Sequence, residues 1–186
     1  VRREGQKCRR VRLANLEYVQ LHPTAFYHQD ARRFLSTEAL RGEGAILLNA
    51  RGERFMKKYD PREELAPRDI VTRAIVTEML QYGEHCVYLD ARNVKHDLAA
   101  RFPTIMRHCL QYDIDITQDL IPVVPAAHYF CGGVLVDLAG RTTLSRLYSV
   151  GECSCTGLPG ANRLASTSLL EAVLWGYSAG QDIARR

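Results

Sequence analysis

Residues 157–176, GLPGANRLASTSLLEAVLWG, constrain the fold more than any other stretch of the chain. Two glycines, a proline and an asparagine set a turn that carries Arg163, and a strongly apolar run follows at once. That run spaces Leu169, Leu170, Val173, Leu174 and Trp175 for a helix and predicts that the helix is buried. Ser168 and Glu171 have the spacing of a capping box at its start. An arginine ahead of a helix N-terminus is awkward, because the partial positive charge there disfavours a cation. The turn therefore points to an anion bound at the helix start. Just upstream, residues 147–150 predict a strand ending at Gly151-Glu152, so the end of the chain is strand, turn, helix.

The rest of the chain is punctuated clearly. Residues 16–21 (LEYVQL) alternate and predict a strand ended by His22-Pro23-Thr24. Residues 34–44 predict a short helix or turn carrying Thr37, Glu38 and Arg41. Residues 45–48 and 53–56 flank Asn49-Ala50-Arg51-Gly52, a hairpin signal. Pro67 and Gly83 bracket a helix whose apolar stripe is Val71, Ile75, Met79 and Tyr82. Residues 87–89 predict a strand, and residues 98–111 a second helix despite Pro103 near its start. Residues 121–136 predict two strands around a turn, and residues 137–141 (DLAGR) a hairpin turn. This order predicts an α+β chain.

At 186 residues the chain has room for one large domain or two small ones. Its net charge of +4 is lopsided, since residues 1–12 hold six basic residues and one acid and the remainder is nearly neutral. A basic arm is one way to touch nucleic acid, but no aromatic or motif context accompanies this one, so a solvated end is the reading. The longest uncharged stretch, residues 120–136, contains Pro122, Pro125, His128, Gly132 and Gly133 and makes a poor membrane span. No apolar targeting segment follows the basic start. Six cysteines lack any CxxC or zinc spacing, which predicts reduced thiols in a cytoplasm, with Cys153 and Cys155 as packed neighbours.

Four cationic or potentially cationic residues stand beside backbone punctuation: His22, Arg68, His128 and Arg163. Each alone has a bland reading as a surface or hydrogen-bonded side chain. Arg68 is harder to dismiss, because it falls in the first turn of its helix. Asp69 beside it is the structural explanation, and a bound anion is the functional one. Two arginines at two positive helix ends suit a small dicarboxylate. Glu38 and Arg41, three apart, would by spacing alone form an ordinary helix pair.

Five blocks of this sequence, taken together, resemble a known family. They are LEYVQLHPTAF, LSTEALRGEGAILLNARGERFM, ELAPRDIVTRAI, PAAHYFCGGVLVD and LYSVGECSCTGLPGANRLASTSLLEAVLWG. Their order and content are similar to the succinate dehydrogenase/fumarate reductase flavoproteins over residues 13–183, most closely to the aspartate-oxidising branch. Pro159 and Thr167 depart from the histidine and asparagine usual there. The family's G-x-G-x-x-G motif has no counterpart, since Gly42-x-Gly44 lacks the third glycine. The resemblance implies an internal piece of such a protein. Residues 1–20 would be a basic end and connecting strand, 21–128 a capping domain that handles substrate, and 129–186 the second segment of a Rossmann-like FAD-binding domain.

The resemblance also implies roles. His22, Thr37, His128 and Arg163 would hold substrate carboxylates. Arg68 would be the catalytic acid/base, with Glu38 and Arg41 as its proton relay. Gly151, Glu152, Asn162, Ser168 and Leu169 would approach FAD, the last two through backbone N–H groups. The implied reaction is oxidation of L-aspartate to iminoaspartate by hydride transfer to flavin N5, with oxygen or fumarate as acceptor, the first step of NAD biosynthesis. Quinolinate synthase would act downstream, and neither nucleic acid nor membrane is an expected partner. The rival readings are a fumarate reductase or succinate dehydrogenase flavoprotein and a non-catalytic fragment.

Overall fold

The computed structural model describes residues 10–30, 34 and 38–185. The chain divides into two compact units: residues 21–126, and residues up to 20 together with 127–186. The strands are β1 (Leu13–Ala14), β2 (Val19–Phe26), β3 (Ile46–Leu48), β4 (Val87–Asp90), β5 (Ile121–Phe130), β6 (Gly133–Leu135) and β7 (Ser154–Cys155). The helices are α1 (Glu38–Gly42), α2 (Arg68–Tyr82), α3 (Leu98–Arg101), α4 (Pro103–Leu110) and α5 (Thr167–Ala184).

The 21–126 unit is built on the sheet β2-β5-β4-β3. Strand β4 lies antiparallel to β3 (Leu47↔Leu89) and to β5 (Val87↔Val123). Helix α2 buries Val71, Ala74 and Ile75 in one cluster with Phe26, Leu40, Leu47, Phe55, Leu89 and Ile121. It ends as expected at Gly83, in a left-handed conformation at φ 70° that costs glycine no steric strain. The Asn49–Gly52 turn forms as the sequence predicts. Asn49 Oδ1 accepts from the N–H groups of Arg51 and Glu53, each at 3.0 Å, while its Nδ2 donates to Glu78 on α2 at 2.9 Å. Buried Glu78 also accepts from Lys58 at 2.9 Å and Tyr59 at 2.8 Å, which ties the turn and the following segment to the helix.

The other unit has a small sheet, β1-β6-β7, in which β1 is antiparallel to β6 and β7 parallel to it. Gly132 and Gly133 are dictated by close backbone approach. A Cβ on Gly132 would sit 2.0 Å from the Asn15 carbonyl oxygen, and one on Gly133 would sit 2.4 Å from that of Cys153. The DLAGR turn closes through Asp137 N–H to Arg141 C=O at 3.1 Å. All the described cysteines are free thiols, Cys153 exposed and Cys155 buried.

Several expectations need correction. The strand expected to stop at His22-Pro23 instead runs on to Phe26. Because β2 is the sheet's edge, a proline there forfeits little pairing. The helix expected over 98–111 is two helices broken at Phe102 (φ −130°, ψ 54°), since Pro103 drives the residue before it out of the helical region. The two strands expected as a pair within 121–136 join different sheets. No capping box forms at Ser168. Helix α5 starts one residue earlier, after Ser166 in a left-handed conformation, and Glu171 accepts from the Thr156 hydroxyl instead. Nor is α5 buried as predicted, for Leu169, Leu170 and Val173 are each more than 70% exposed.

Candidate functional site

The 21–126 unit brings together three of the residues picked out from the sequence. Pro67 fixes the entry to α2, so Arg68 takes the first helical position. Glu38 opens α1 and Arg41 lies in its last turn. One oxygen of Glu38 accepts from Arg68 Nε at 2.9 Å and from Nη2 at 2.6 Å. The Glu38–Arg41 separation is longer, at 3.8 Å. Glu38 is thus the anion that meets Arg68 at the start of α2, while Asp69 accepts from Arg73 at 2.8 Å. The i,i+3 ion pair with Arg41 is present, and Glu38 also hydrogen-bonds to a residue thirty positions away.

Charges and burial act in opposition here. Burial pushes the Glu38 carboxyl up, but the hydrogen bond and charge of Arg68, with Arg41 and His22 adding to them, hold it below the usual carboxylate value. Arg41 is 2% exposed. Burial lowers its pKa, and the nearby charges of Glu38 and Glu64 only partly restore it. His22, also buried, accepts from the Thr24 N–H at Nδ1, 3.2 Å away. Thr37 lies outside the described residues.

The other unit holds His128, Gly151, Glu152, Asn162, Arg163, Ser168 and Leu169. Arg163 is 6% exposed, and its guanidinium lies 4.3 Å from the centroid of the Tyr129 ring. Nη1 donates to the Leu164 carbonyl at 3.1 Å, while Nε is buried without a hydrogen-bond partner. His128, half-buried on β5, immediately precedes Tyr129. One oxygen of Glu152 accepts from the Phe130 N–H at 2.9 Å. Gly151, Gly157 and Gly160 all have positive φ, so the backbone makes tight turns on the approach to α5. Leu169 N–H donates to the Ser166 carbonyl at 3.2 Å, and Ser168 lies in the same first turn.

The sequence reasoning passed over Gln20, Tyr129, Glu64 and Arg54. Buried Gln20 donates from Nε2 to Asn162 Oδ1 at 2.7 Å and to the Arg163 carbonyl at 2.6 Å, so it fixes the turn that presents Arg163. Its alternation within LEYVQL was the only available signal, and alternation marks a strand face without naming its partner. Among the described residues no His/Cys/Asp/Glu group could hold a metal ion, and no helix is long and apolar enough to cross a membrane.

The residues around α5 fit a dinucleotide such as FAD on one structural ground. The N-cap Ser166 makes no side-chain capping bond, and the first turn contains no acidic residue. Its partial positive charge is therefore not offset by a carboxylate in that turn, which suits an electron-rich ring edge or phosphate.

The chain matches the family model of the FAD binding domain over residues 5–169. It is 57% identical to the L-aspartate oxidase of Pseudomonas aeruginosa over 176 residues, 94% of this chain and 33% of that enzyme. Against the L-aspartate oxidase of Yersinia pestis it is 56% identical, with the same coverage of each chain. A quinol–fumarate reductase solved with menaquinol molecules superposes with a TM-score of 0.87 at 37% identity, covering 95% of this chain and 34% of its own. The chain thus spans about a third of the length of these relatives.

Proposed function

Because the chain belongs to the FAD-binding flavoproteins of the succinate dehydrogenase/fumarate reductase family, we propose that it is the substrate-handling part of an L-aspartate oxidase. The proposed reaction converts L-aspartate to iminoaspartate, with oxygen or fumarate taking the electrons and quinolinate synthase consuming the product. The observation that carries this reading is the Arg68–Glu38–Arg41 group. It gathers an ionised carboxylate and two guanidiniums in a chain 57% identical to an aspartate oxidase. Residues 21–128 would be the capping domain, and residues 129–186 part of the FAD-binding domain.

When bound, FAD supplies the acceptor for the hydride that leaves Cα of aspartate and the donor for the hydride that reduces fumarate. Gly151, Glu152, Asn162, Ser168 and Leu169 would hold it. His22, Thr37, His128 and Arg163 would bind the substrate's carboxylates and orient Cα. Arg163 suits this task because it is a buried cation with an unpartnered Nε. Arg68 is a poor base, because a guanidinium holds its proton very tightly. As an acid it would give its proton to the fumarate carbon; Arg41 would then protonate the ionised Glu38, Glu38 would pass that proton to Arg68, and a proton from solvent would restore Arg41. During aspartate oxidation Arg68 acts chiefly as fixed positive charge.

The test is a chimera in which this chain replaces the matching third of the Pseudomonas aeruginosa enzyme. It is expected to bind FAD and to bleach it with aspartate. Arg68→Met is expected to lower fumarate reduction at least about 100-fold, the scale of a lost general acid. Bleaching by succinate alone would instead favour the fumarate reductase reading. A folded, FAD-loaded chimera inert to both substrates would leave the non-catalytic one.

A further inference from the structure

The buried cation of the relay, Arg41, is the least supported side chain in its group. Its Nη1 donates to the main-chain carbonyl of Glu64 at 2.6 Å, while Nε and Nη2 are buried without hydrogen-bond partners. Glu64 therefore meets Arg41 twice, as a backbone acceptor and as one of two negative charges near it, the other being Glu38.

Glu64 is itself held from three sides. Its carboxylate accepts from Arg54 Nε at 3.0 Å and Nη2 at 2.6 Å, and from the Leu47 N–H of β3 at 3.1 Å. Arg54 also pairs with Glu63, nearer the surface. Glu64 is 4% exposed, so this carboxylate is buried and fully engaged. Burial pushes it up, but the Arg54 hydrogen bond and the Leu47 and Glu64 N–H groups more than offset that, and it stays ionised. The charges alternate in sequence: Arg68, Glu38, Arg41, Glu64, Arg54, Glu63.

We infer that Glu64 is a positioning residue for the relay: its carboxylate, held by Arg54 and the Leu47 N–H, fixes the main-chain carbonyl that receives Arg41 Nη1. It touches neither substrate nor cofactor. The inference rests on the proposed relay and adds an outer residue to it. Without those carboxylate bonds the Glu64 carbonyl loses its anchor, and Arg41, whose Nε and Nη2 have no hydrogen-bond partners, is held less firmly beside Glu38. Glu38, already drawn to Arg68, is then resupplied more slowly.

Glu64→Gln in the FAD-loaded chimera tests this, because the amide keeps the shape and one acceptor but replaces the other oxygen, bonded by Arg54, with a donor. The kcat for fumarate reduction is expected to fall about tenfold with KM within about twofold, the pattern of a loss confined to the chemical step. The solvent isotope effect on kcat should rise, as it does when proton delivery limits the rate. A stability loss with kcat and the isotope effect unchanged would make Glu64 merely structural and overturn the inference. If Glu64→Gln does not fold, Glu64→Asp carries the test: a lowered kcat with a raised isotope effect supports it, and no change in either overturns it. Arg41→Gln separates the two levels. A slow Arg41→Gln beside a normal Glu64→Gln rejects this inference alone, whereas a normal Arg41→Gln rejects the relay itself.

Discussion

Helices α2 and α5 carry similar apolar stripes and meet opposite fates. In the 21–126 unit, α2 buries Val71, Ala74 and Ile75 to 1% exposure or less. In the other unit, α5 leaves Leu169, Leu170 and Val173 more than 70% exposed, and Leu174 and Tyr177 more than half exposed. The buried apolar cluster of the described residues is drawn entirely from positions 26–123. A stripe states that a helix face favours burial. It does not state that the burying surface lies in the same stretch of chain. The 21–126 unit satisfies that demand with its own strands, whereas α5 does not satisfy it among the described residues.

The largest expected effect separates these two helices. Ile75→Ala removes a fully buried side chain and should cost about 2–5 kcal/mol. Val173→Ala alters a side chain 73% exposed and should cost about 0.5 kcal/mol or less. Urea unfolding of the two variants, followed by circular dichroism, checks both. Equal losses would mean that the α5 stripe is covered in solution, and the contrast between the units would fail.

Acid sharpens the contrast next. Burial pushes Glu64 and Glu78 up, but hydrogen bonds from Arg54 to the first, and from Asn49, Lys58 and Tyr59 to the second, bring both below the usual value. A carboxylate with a depressed folded pKa contributes stability that is complete above its unfolded pKa, near 4.3. That contribution is lost as pH falls through the lower, folded value. The unfolding midpoint of the 21–126 unit should therefore drop steeply below about pH 4.3. Trp175, the sole tryptophan, sits on α5 and reports the other unit by fluorescence. A dichroism midpoint that stayed level down to pH 3 would show that these two carboxylates are not held as described.

The same contrast explains what the sequence disclosed. Pro67 and Gly83 marked α2 because both act locally on the backbone, and Asn49 marked its turn for the same reason. The break at Phe102 was equally local and was missed by giving the apolar spacing more weight than the restriction before Pro103. Long-range facts were harder. Nothing in the spacing of Glu38 and Arg41 says that Glu38 bonds Arg68, and the family resemblance supplied that grouping. Glu64 stayed invisible because its role depends on Arg54, Leu47 and Arg41 converging from separate elements. The exposure of α5 was unreadable in principle, since periodicity fixes a face but not its neighbour.

The smallest expected effect concerns how α5 is fastened at its far end. Arg141 and Tyr148, on the segment leading toward the Gly151 turn, both donate to Asp182 in the last turn of the helix. Arg141 is 42% exposed, so water and salt screen this pair. Asp182→Asn keeps the shape and one acceptor, and removes the charge together with one acceptor of the two-pronged contact from Arg141. A slight fall in the Trp175 transition is expected at low salt, and a smaller one at about 1 M, where the Debye length is about 3 Å. A helix tied by screened polar contacts should behave that way, in contrast to one seated in a core. Were the loss to persist undiminished in salt and to rival that of Ile75→Ala, the polar ties would be anchoring α5 as firmly as packing anchors α2. The exposed stripe would then no longer mark the weaker unit.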